Sequence, residues 1–249
     1  MAGWRTIRRH IWRDEDGNPV LEHTKYIPPD GKVSFPWRYR FVGEFGSCWC
    51  KRKPGETWED VGIVHPLIYP RDVFARADRR ADLLVVEGEA DVDEALGAGL
   101  LAITAGAAGA FGREHAALVR GWGGRVSIVR DNDLPGAWGA AKAYDALRDV
   151  GIPATRLRVA RGRVKGKGTD LRDHLEAGYA ADDLIAEPIA KVRRLAARAT
   201  AESFNRAGYE ADAEGRFSHR APRHENDPGW HVVSAAEVAQ IRGWRPNQS

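Results

Sequence analysis

The sequence contains two cysteines and no long apolar segment, and both shortages restrict the class of protein. Cys48 and Cys50 are the only cysteines among 249 residues, which excludes a disulfide framework, and a zinc site would need two further ligands. No run of about 18 apolar residues occurs, so no membrane-spanning helix is expected. The first ten residues lack the apolar stretch of a signal peptide, and we therefore expect a cytoplasmic protein.

The charge is distributed unevenly along the chain. Residues 1–80 carry 15 Lys/Arg and 11 Asp/Glu, residues 81–190 carry 13 and 17, and residues 191–249 carry 10 and 7. An acidic centre between basic ends fits a metal-holding centre flanked by segments that bind a polyanion. It fits a plain two-part protein nearly as well.

The first 50 residues have the pattern of short β-strands. Residues 7–13 and 20–27 flank the turn signal DEDGNP, which predicts a hairpin, and residues 45–51 could pair with the alternating segment 33–42. That alternation places Trp37 on one face and Arg38 and Arg40 on the other. The aromatic residues are the core of a small sheet, or they belong to a surface that binds a single nucleic-acid strand; both hold if each uses one face. The predicted nucleic-acid contacts are Trp37, Arg38, Arg40, Lys51 and Arg52.

From residue 81 onwards, strands and helices alternate. We predict strands at 83–87, 100–104, 125–130 and 155–160 and helices at 90–98, 112–120, 137–150 and 171–177, after a connector with a helix at 71–80. This order predicts an α/β fold with a mostly parallel sheet and helices on both faces. A basic helix is expected at 182–204, and a polar, weakly ordered tail at 207–249 has one segment, 232–241, that could dock as a helix.

Carboxylates follow the predicted strand ends. Glu87 ends the first strand and Asp131 and Asp133 follow the third, whereas Asp170 and Asp173 come well after the fourth. Sites in such sheets lie beyond the carboxyl ends of the strands, and the Asp-x-Asp spacing sends both side chains the same way. Carboxylates packed together repel one another unless a cation lies between them, and Mg²⁺ prefers oxygen ligands of this kind. The sequence therefore predicts a divalent-metal site.

Other charged residues near these segments have simpler interpretations. The remaining acids that follow the first strand, including Glu89, are predicted at the helix start and on the surface. Residues 155–168, TRLRVARGRVKGKG, carry six basic residues and no acidic one, which indicates either a solvated face or a phosphate-binding segment with Arg163, Lys165 and Lys167 as contacts. Residues 104–112, TAGAAGAFG, form a tight turn or a phosphate loop that lacks a lysine.

Three segments together resemble a known family. VVEGEADVDEAL, VSIVRDNDLPG and KGTDLRDHL are similar to the Toprim domain in the form found in DnaG-type and phage primases. The resemblance covers residues 81–178 and implies Mg²⁺ or Mn²⁺ and phosphoryl transfer on nucleic acid. It implies that Glu87 is the catalytic glutamate, that Asp131 and Asp133 are metal ligands, and that Asp170 and Asp173 are the acidic pair of the third motif. Asp91 would be a structural acid.

The resemblance predicts a DNA-directed nucleotidyltransferase of the primase type. Its substrates would be single-stranded DNA and nucleoside triphosphates, in the replication of a phage, plasmid or mobile element. The sequence has no Cys/His zinc module and no Gly-x-x-x-x-Gly-Lys-Ser/Thr loop, so a zinc module or helicase would be a separate partner. The alternatives are a Toprim nuclease and a non-catalytic accessory subunit. The predicted domains are 1–80, a basic β subdomain; 81–180, the Toprim domain; 181–206, a helix; and 207–249, the tail.

Overall fold

Two β-sheets organise the part of the chain that surrounds the acidic residues. The computed structural model describes residues 5–27, 34, 36–43, 46–53, 56–63, 66–206, 209–211, 217–219 and 232–233. The fold class predicted from the sequence is confirmed: a mostly parallel sheet is flanked by helices, and an antiparallel sheet precedes it.

The larger sheet has five strands, four of them parallel. Its spatial order is β6-β5-β7-β8-β9, and only β9 runs antiparallel to its neighbour. All four residues of β5 and all five of β7 are buried, as expected for central strands covered on both faces. The strands are β5 (Leu83–Val86), β6 (Ala102–Thr104), β7 (Val126–Arg130), β8 (Leu157–Arg161) and β9 (Ile185–Glu187).

Helices cover both faces of this sheet. Side chains of α3, α4 and α6 form one core with the central strands and with Trp122, which is fully buried. Side chains of α2 and α5 form a second core on the opposite face. The helices are α1 (Arg71–Arg76), α2 (Glu89–Gly97), α3 (Arg113–Val119), α4 (Leu134–Asp149), α5 (Leu171–Glu176) and α6 (Ile189–Arg206).

The N-terminal sheet is a four-stranded antiparallel meander with its own small core. Trp12 and Leu21 lie on one face and pack with Ile63 and Leu67 from the connector. The strands are β1 (Arg5–Arg13), β2 (Pro19–Ile27), β3 (Trp37–Gly43) and β4 (Gly46–Cys50). Three short strands near the C-terminus form a separate sheet: β10 (Tyr209–Ala211), β11 (Phe217–His219) and β12 (Val232–Val233).

Several predicted boundaries are wrong. The C-terminal helix begins at Ile189 rather than at residue 182, because Pro188 keeps the preceding residue extended, and residues 185–187 form β9 instead. Helix α1 ends at Arg76 rather than at residue 80, since the C-cap residue Ala77 is extended.

Other predictions are only partly covered by the described residues. Val232 and Val233 form a strand rather than the start of a helix, and residues 234–241 lie outside the described residues, as does most of the tail. The domain limits remain predictions. Among the described residues, no helix is long and apolar enough to cross a membrane.

Candidate active site

Glu87 and Asp131 meet at the carboxyl edge of the larger sheet. Each directly follows its strand, β5 or β7, and these strands are parallel neighbours. Glu87 Oε1 accepts a hydrogen bond from the backbone N–H of Asp131 at 3.1 Å. From the other neighbour of β5, Thr104 Oγ1 donates to the Glu87 carbonyl at 2.7 Å. Three adjacent strand ends therefore fix the position of Glu87.

The first turn of α4 packs directly on this pair of acids. Asp133 is the N-cap of α4, and its Oδ1 accepts from the backbone N–H of Gly136 at 2.8 Å. A Cβ atom on Gly136 would lie 2.5 Å from Glu87 Oε1 and 2.6 Å from the Asp131 carbonyl oxygen. Only glycine permits so close an approach, so the helix start and the two acids form one tightly packed unit.

Asp170 and Asp173 cap α5 on the other side of the site. Asp170 Oδ1 accepts from the Asp173 N–H at 2.8 Å, and Asp173 Oδ2 accepts from the Asp170 N–H at 3.1 Å, which is a reciprocal capping box. Asp91 is buried and its Oδ1 accepts from the Arg172 N–H at 3.0 Å, so it joins the first turns of α2 and α5. This contact gives Asp91 a structural role.

Burial and repulsion between neighbouring charges raise the pKa values of Glu87, Asp131 and Asp91. Burial raises the pKa of Glu87 to about 7; the hydrogen bond from the Asp131 N–H and the charge of Arg130 lower this pKa, and the charges of Asp133 and Asp91 raise it. Burial and then the charges of Glu87, Asp91 and Asp170 raise the pKa of Asp131 to about 8. Burial, followed by the charge of Asp170, raises the pKa of Asp91 to about 6. The carboxyls thus lie close enough to share one electrostatic environment.

The donor set fits Mg²⁺ in kind and in charge, but its present arrangement is not that of a closed metal site. Within the described part of the chain, no three His, Cys, Asp or Glu side chains converge into a group that could hold a metal ion. Glu87, Asp133 and Asp170 instead accept backbone N–H groups. Carboxylate oxygens under mutual repulsion are ligands that a hard divalent cation prefers. Binding such a cation would require some of these side chains to turn away from their backbone partners.

Residues 164–169, which we name the lysine loop, are attached to the aspartates through Asn132. Asn132 Nδ2 donates to the Gly166 carbonyl at 2.7 Å, and its backbone N–H donates to the Thr169 carbonyl at 2.9 Å. Lys165 and Lys167 are exposed, and no side-chain hydrogen bond or ion pair joins either of them to another described residue. The lysine loop therefore holds two ammonium groups, which no described residue pairs, beside the acidic residues.

Arg163 differs from the two lysines because it is engaged within the protein. Its Nε donates to the Asp183 carbonyl at 2.9 Å, and its guanidinium lies 3.5 Å from the Asp183 carboxylate. It also lies over the Tyr179 ring, 5.9 Å from the centroid. Any phosphate contact of Arg163 would compete with these interactions.

The N-terminal sheet carries Arg38, Arg40 and Trp49 on one face and Trp37 on the other. Arg38 NH2 lies 2.6 Å from Glu22 Oε1, and Arg9 Nε lies 2.5 Å from Glu22 Oε2, so a buried carboxylate holds two partly exposed guanidiniums. Arg9 lies over the Trp49 ring at 5.8 Å, and Arg40 donates to Ser47 Oγ at 3.0 Å.

Trp37 lies on the opposite face of this sheet, where it stacks on His23 at 4.0 Å and packs edge-on against Trp12 at 5.3 Å. A nucleic-acid strand bound across Arg38 and Arg40 would contact Trp49 rather than Trp37. Lys51 is exposed, and Arg52 lies 4.8 Å over the Trp58 ring.

Glu89 joins the two sheets, a role that the sequence did not suggest. The prediction that it lies at the surface is wrong, because only 5% of it is exposed. Its Oε1 accepts from Trp12 Nε1 at 3.1 Å and lies 2.7 Å from His23 Nδ1. The face of the N-terminal sheet that carries these two residues covers the start of α2. No local pattern reveals this, since Trp12 and Glu89 are 77 residues apart.

Three solved structures that resemble this chain come from DNA primases. One is described as the DnaG catalytic core, at 15% identity, 83% coverage of this chain, 59% of that chain and a TM-score of 0.48. A DnaG primase catalytic domain bound to ssDNA is 16% identical, with 83% of this chain and 59% of that chain covered and a TM-score of 0.45. A DNA primase domain from Pseudomonas aeruginosa has 16% identity, 82% and 63% coverage and a TM-score of 0.40.

The chain spans about three fifths of the length of these structures, 59% to 63%. No family model matches the sequence. No curated protein matches it either. Likeness of this degree concerns the general fold and says nothing of the activity of this chain.

Proposed function

We propose that this chain is a Toprim-type primase core that synthesises short RNA primers on single-stranded DNA, with Mg²⁺ or Mn²⁺, in phage, plasmid or mobile-element replication. The observation that carries the proposal is the meeting of Glu87 and Asp131 at adjacent parallel strand ends, with Asp133 and Asp170 on the helices that start beside them. These are the acids of the three segments that resemble the Toprim motifs.

Glu87, Asp131 and Asp133 would hold the divalent cation, and Asp170 and Asp173 would extend its site. A bound cation supplies charge stabilisation at the reacting phosphate and lowers the pKa of the attacking hydroxyl. The residues of this chain hold and orient the reactants: Lys165 and Lys167 carry the free cations that would neutralise triphosphate oxygens. The shared carboxyl environment, in which the pKa values of Glu87 and Asp131 are raised to about 7 and 8, favours exchange of protons for a cation.

The template would lie on the basic face of the N-terminal sheet. Arg38 and Arg9 are held by buried Glu22 while remaining 32% and 51% exposed, so they can contact phosphates without losing their support. Phosphate contacts of this kind would make binding depend steeply on salt. Stacking on Trp49 would add contacts to unpaired bases.

A primer-synthesis assay tests the proposal. The protein is incubated with single-stranded DNA, labelled ribonucleotides and Mg²⁺ or Mn²⁺, and new oligomers and template length are followed on one gel. We expect short products that disappear in Glu87→Gln, which keeps an acceptor for the Asp131 N–H and removes the charge. Glu94→Gln is the matched control, because Glu94 lies on α2 and its side chain makes no hydrogen bond or ion pair with another described residue.

Two results would contradict the primase proposal. If the template is shortened, if this shortening is lost in Glu87→Gln, and if no new oligomers form, the same acids belong to a nuclease in which water replaces the 3′-hydroxyl. Tight DNA binding without either product would leave a non-catalytic accessory role for the isolated chain.

A further inference from the structure

Arg130, the last residue of β7, is a buried cation directly before the two aspartates. Its side chain is 4% exposed. The guanidinium has two sets of acceptors: Nε donates to Glu187 Oε2 at 2.7 Å, and NH1 donates to the Asp131 carbonyl at 2.7 Å and the Asp133 carbonyl at 3.3 Å. One side chain therefore connects β9 with the backbone on both sides of Asn132.

The backbone that Arg130 holds is a tight turn. The Asp133 N–H donates to the Asp131 carbonyl at 2.8 Å, the three-residue pattern of a γ-turn. Both carbonyls of that turn point to the same NH1 group, while the Asp131 N–H is bound to Glu87 Oε1. The turn sets the spacing between Asp131 and Asp133 and leads directly into α4, whose Ala137 N–H also donates to the Asp133 carbonyl, at 3.2 Å.

Charge neutralisation of Glu187 does not by itself require Arg130. Glu187 also has Lys191 at 2.7 Å and Arg161 at 3.6 Å. Arg161 instead donates to the Gly162 carbonyl at 3.0 Å. The contribution that distinguishes Arg130 from these cations is its bond to the two carbonyls of the γ-turn.

We infer that Arg130 is a positioning residue that fixes the γ-turn and thereby the relative placement of Asp131 and Asp133 as ligands of a divalent cation. The inference rests on the proposed function, since that function makes the aspartates metal ligands. A lysine at this position keeps the charge but lacks the planar fork that reaches Glu187 and the turn together.

Mn²⁺ binding to the full chain, followed by electron paramagnetic resonance, tests the inference without any activity measurement. Arg130→Lys is compared with Arg161→Lys, the matched control that also contacts Glu187 but not the turn. We expect Arg130→Lys to weaken Mn²⁺ binding at least about tenfold, as for other residues that orient metal ligands, and Arg161→Lys to leave it within about twofold. Circular dichroism establishes that both variants are folded.

The outcomes separate the two proposals. Wild-type affinity in folded Arg130→Lys would overturn the inference and leave the metal site intact. Absence of Mn²⁺ binding in the wild type, or binding unaffected by Glu87→Gln, would overturn the proposed function and the inference with it. Arg130→Gln, which is neutral and shorter, replaces Arg130→Lys if the buried ammonium of the lysine prevents folding. We expect it to weaken Mn²⁺ binding by the same factor.

Discussion

Replacing Gly136 by alanine tests how tightly the start of α4 is packed on the acidic residues. The added methyl group would lie 2.5 Å from Glu87 Oε1 and 2.6 Å from the Asp131 carbonyl oxygen. The carbonyl belongs to a backbone held by Arg130 and cannot move aside cheaply. Overpacking costs about 1–3 kcal/mol, and the contact with fixed backbone places this case at the upper end. Alanine returns about 1 kcal/mol through its higher helix propensity, so we expect a net loss of about 1–2 kcal/mol.

Gly97→Ala is the matched control for this substitution. Gly97 is the last residue of α2, and a Cβ atom there would have nothing within 4 Å. We expect it to raise the free energy of unfolding by up to about 1 kcal/mol. Urea unfolding at pH 7 measures both variants against the wild type. Equal stabilities of Gly136→Ala and Gly97→Ala would refute the packing described around Glu87.

Three further predictions concern other parts of the molecule. Trp12→Phe keeps the ring but removes the N–H that Glu89 accepts, so unfolding free energy should fall by about 1–2 kcal/mol in urea titrations; no loss would contradict the buried junction. Burial alone would raise the pKa of Glu187, but Arg130 and Lys191 lower it overall. The contribution of Glu187 to the free energy of unfolding is therefore present above its unfolded-state pKa and is lost as the pH falls through its folded-state pKa. The free energy of unfolding of Glu187→Gln should consequently fall less on acidification than that of the wild type. Alanine at both Lys165 and Lys167 should weaken triphosphate binding in fluorescence titrations while changing stability by less than about 0.5 kcal/mol, and unchanged binding would remove the lysine loop from the phosphate site.

Local sequence patterns were sufficient to predict the strands that carry the site. The apolar runs before Glu87 and Asp131 predicted β5 and β7 because a strand buried on both faces needs an unbroken run of apolar residues. The regular alternation with helices then implied parallel strands whose carboxyl ends lie at one edge. The alternation of Trp37 with Arg38 likewise predicted the two faces of β3, because side chains in a strand alternate.

Other features of the candidate site depend on contacts between residues far apart in the sequence. The sequence pattern did not reveal the role of Arg130, because a charged residue at the end of a strand ordinarily lies in solvent. Only the position of β9 brings Glu187 to it as a partner. Glu89 follows the pattern of a helix start, yet the N-terminal sheet covers it.

The sequence by itself determined the α/β order and placed Glu87, Asp131 and Asp133 at strand ends, since both follow from short-range periodicity and from chain direction. Only the tertiary structure decided that Asn132 attaches the lysine loop beside these acids and that Asp170 contributes to their electrostatic environment. The physical reason is that hydrogen bonds and charge interactions depend on distances of a few ångströms, and folding sets those distances between segments that are dozens of residues apart.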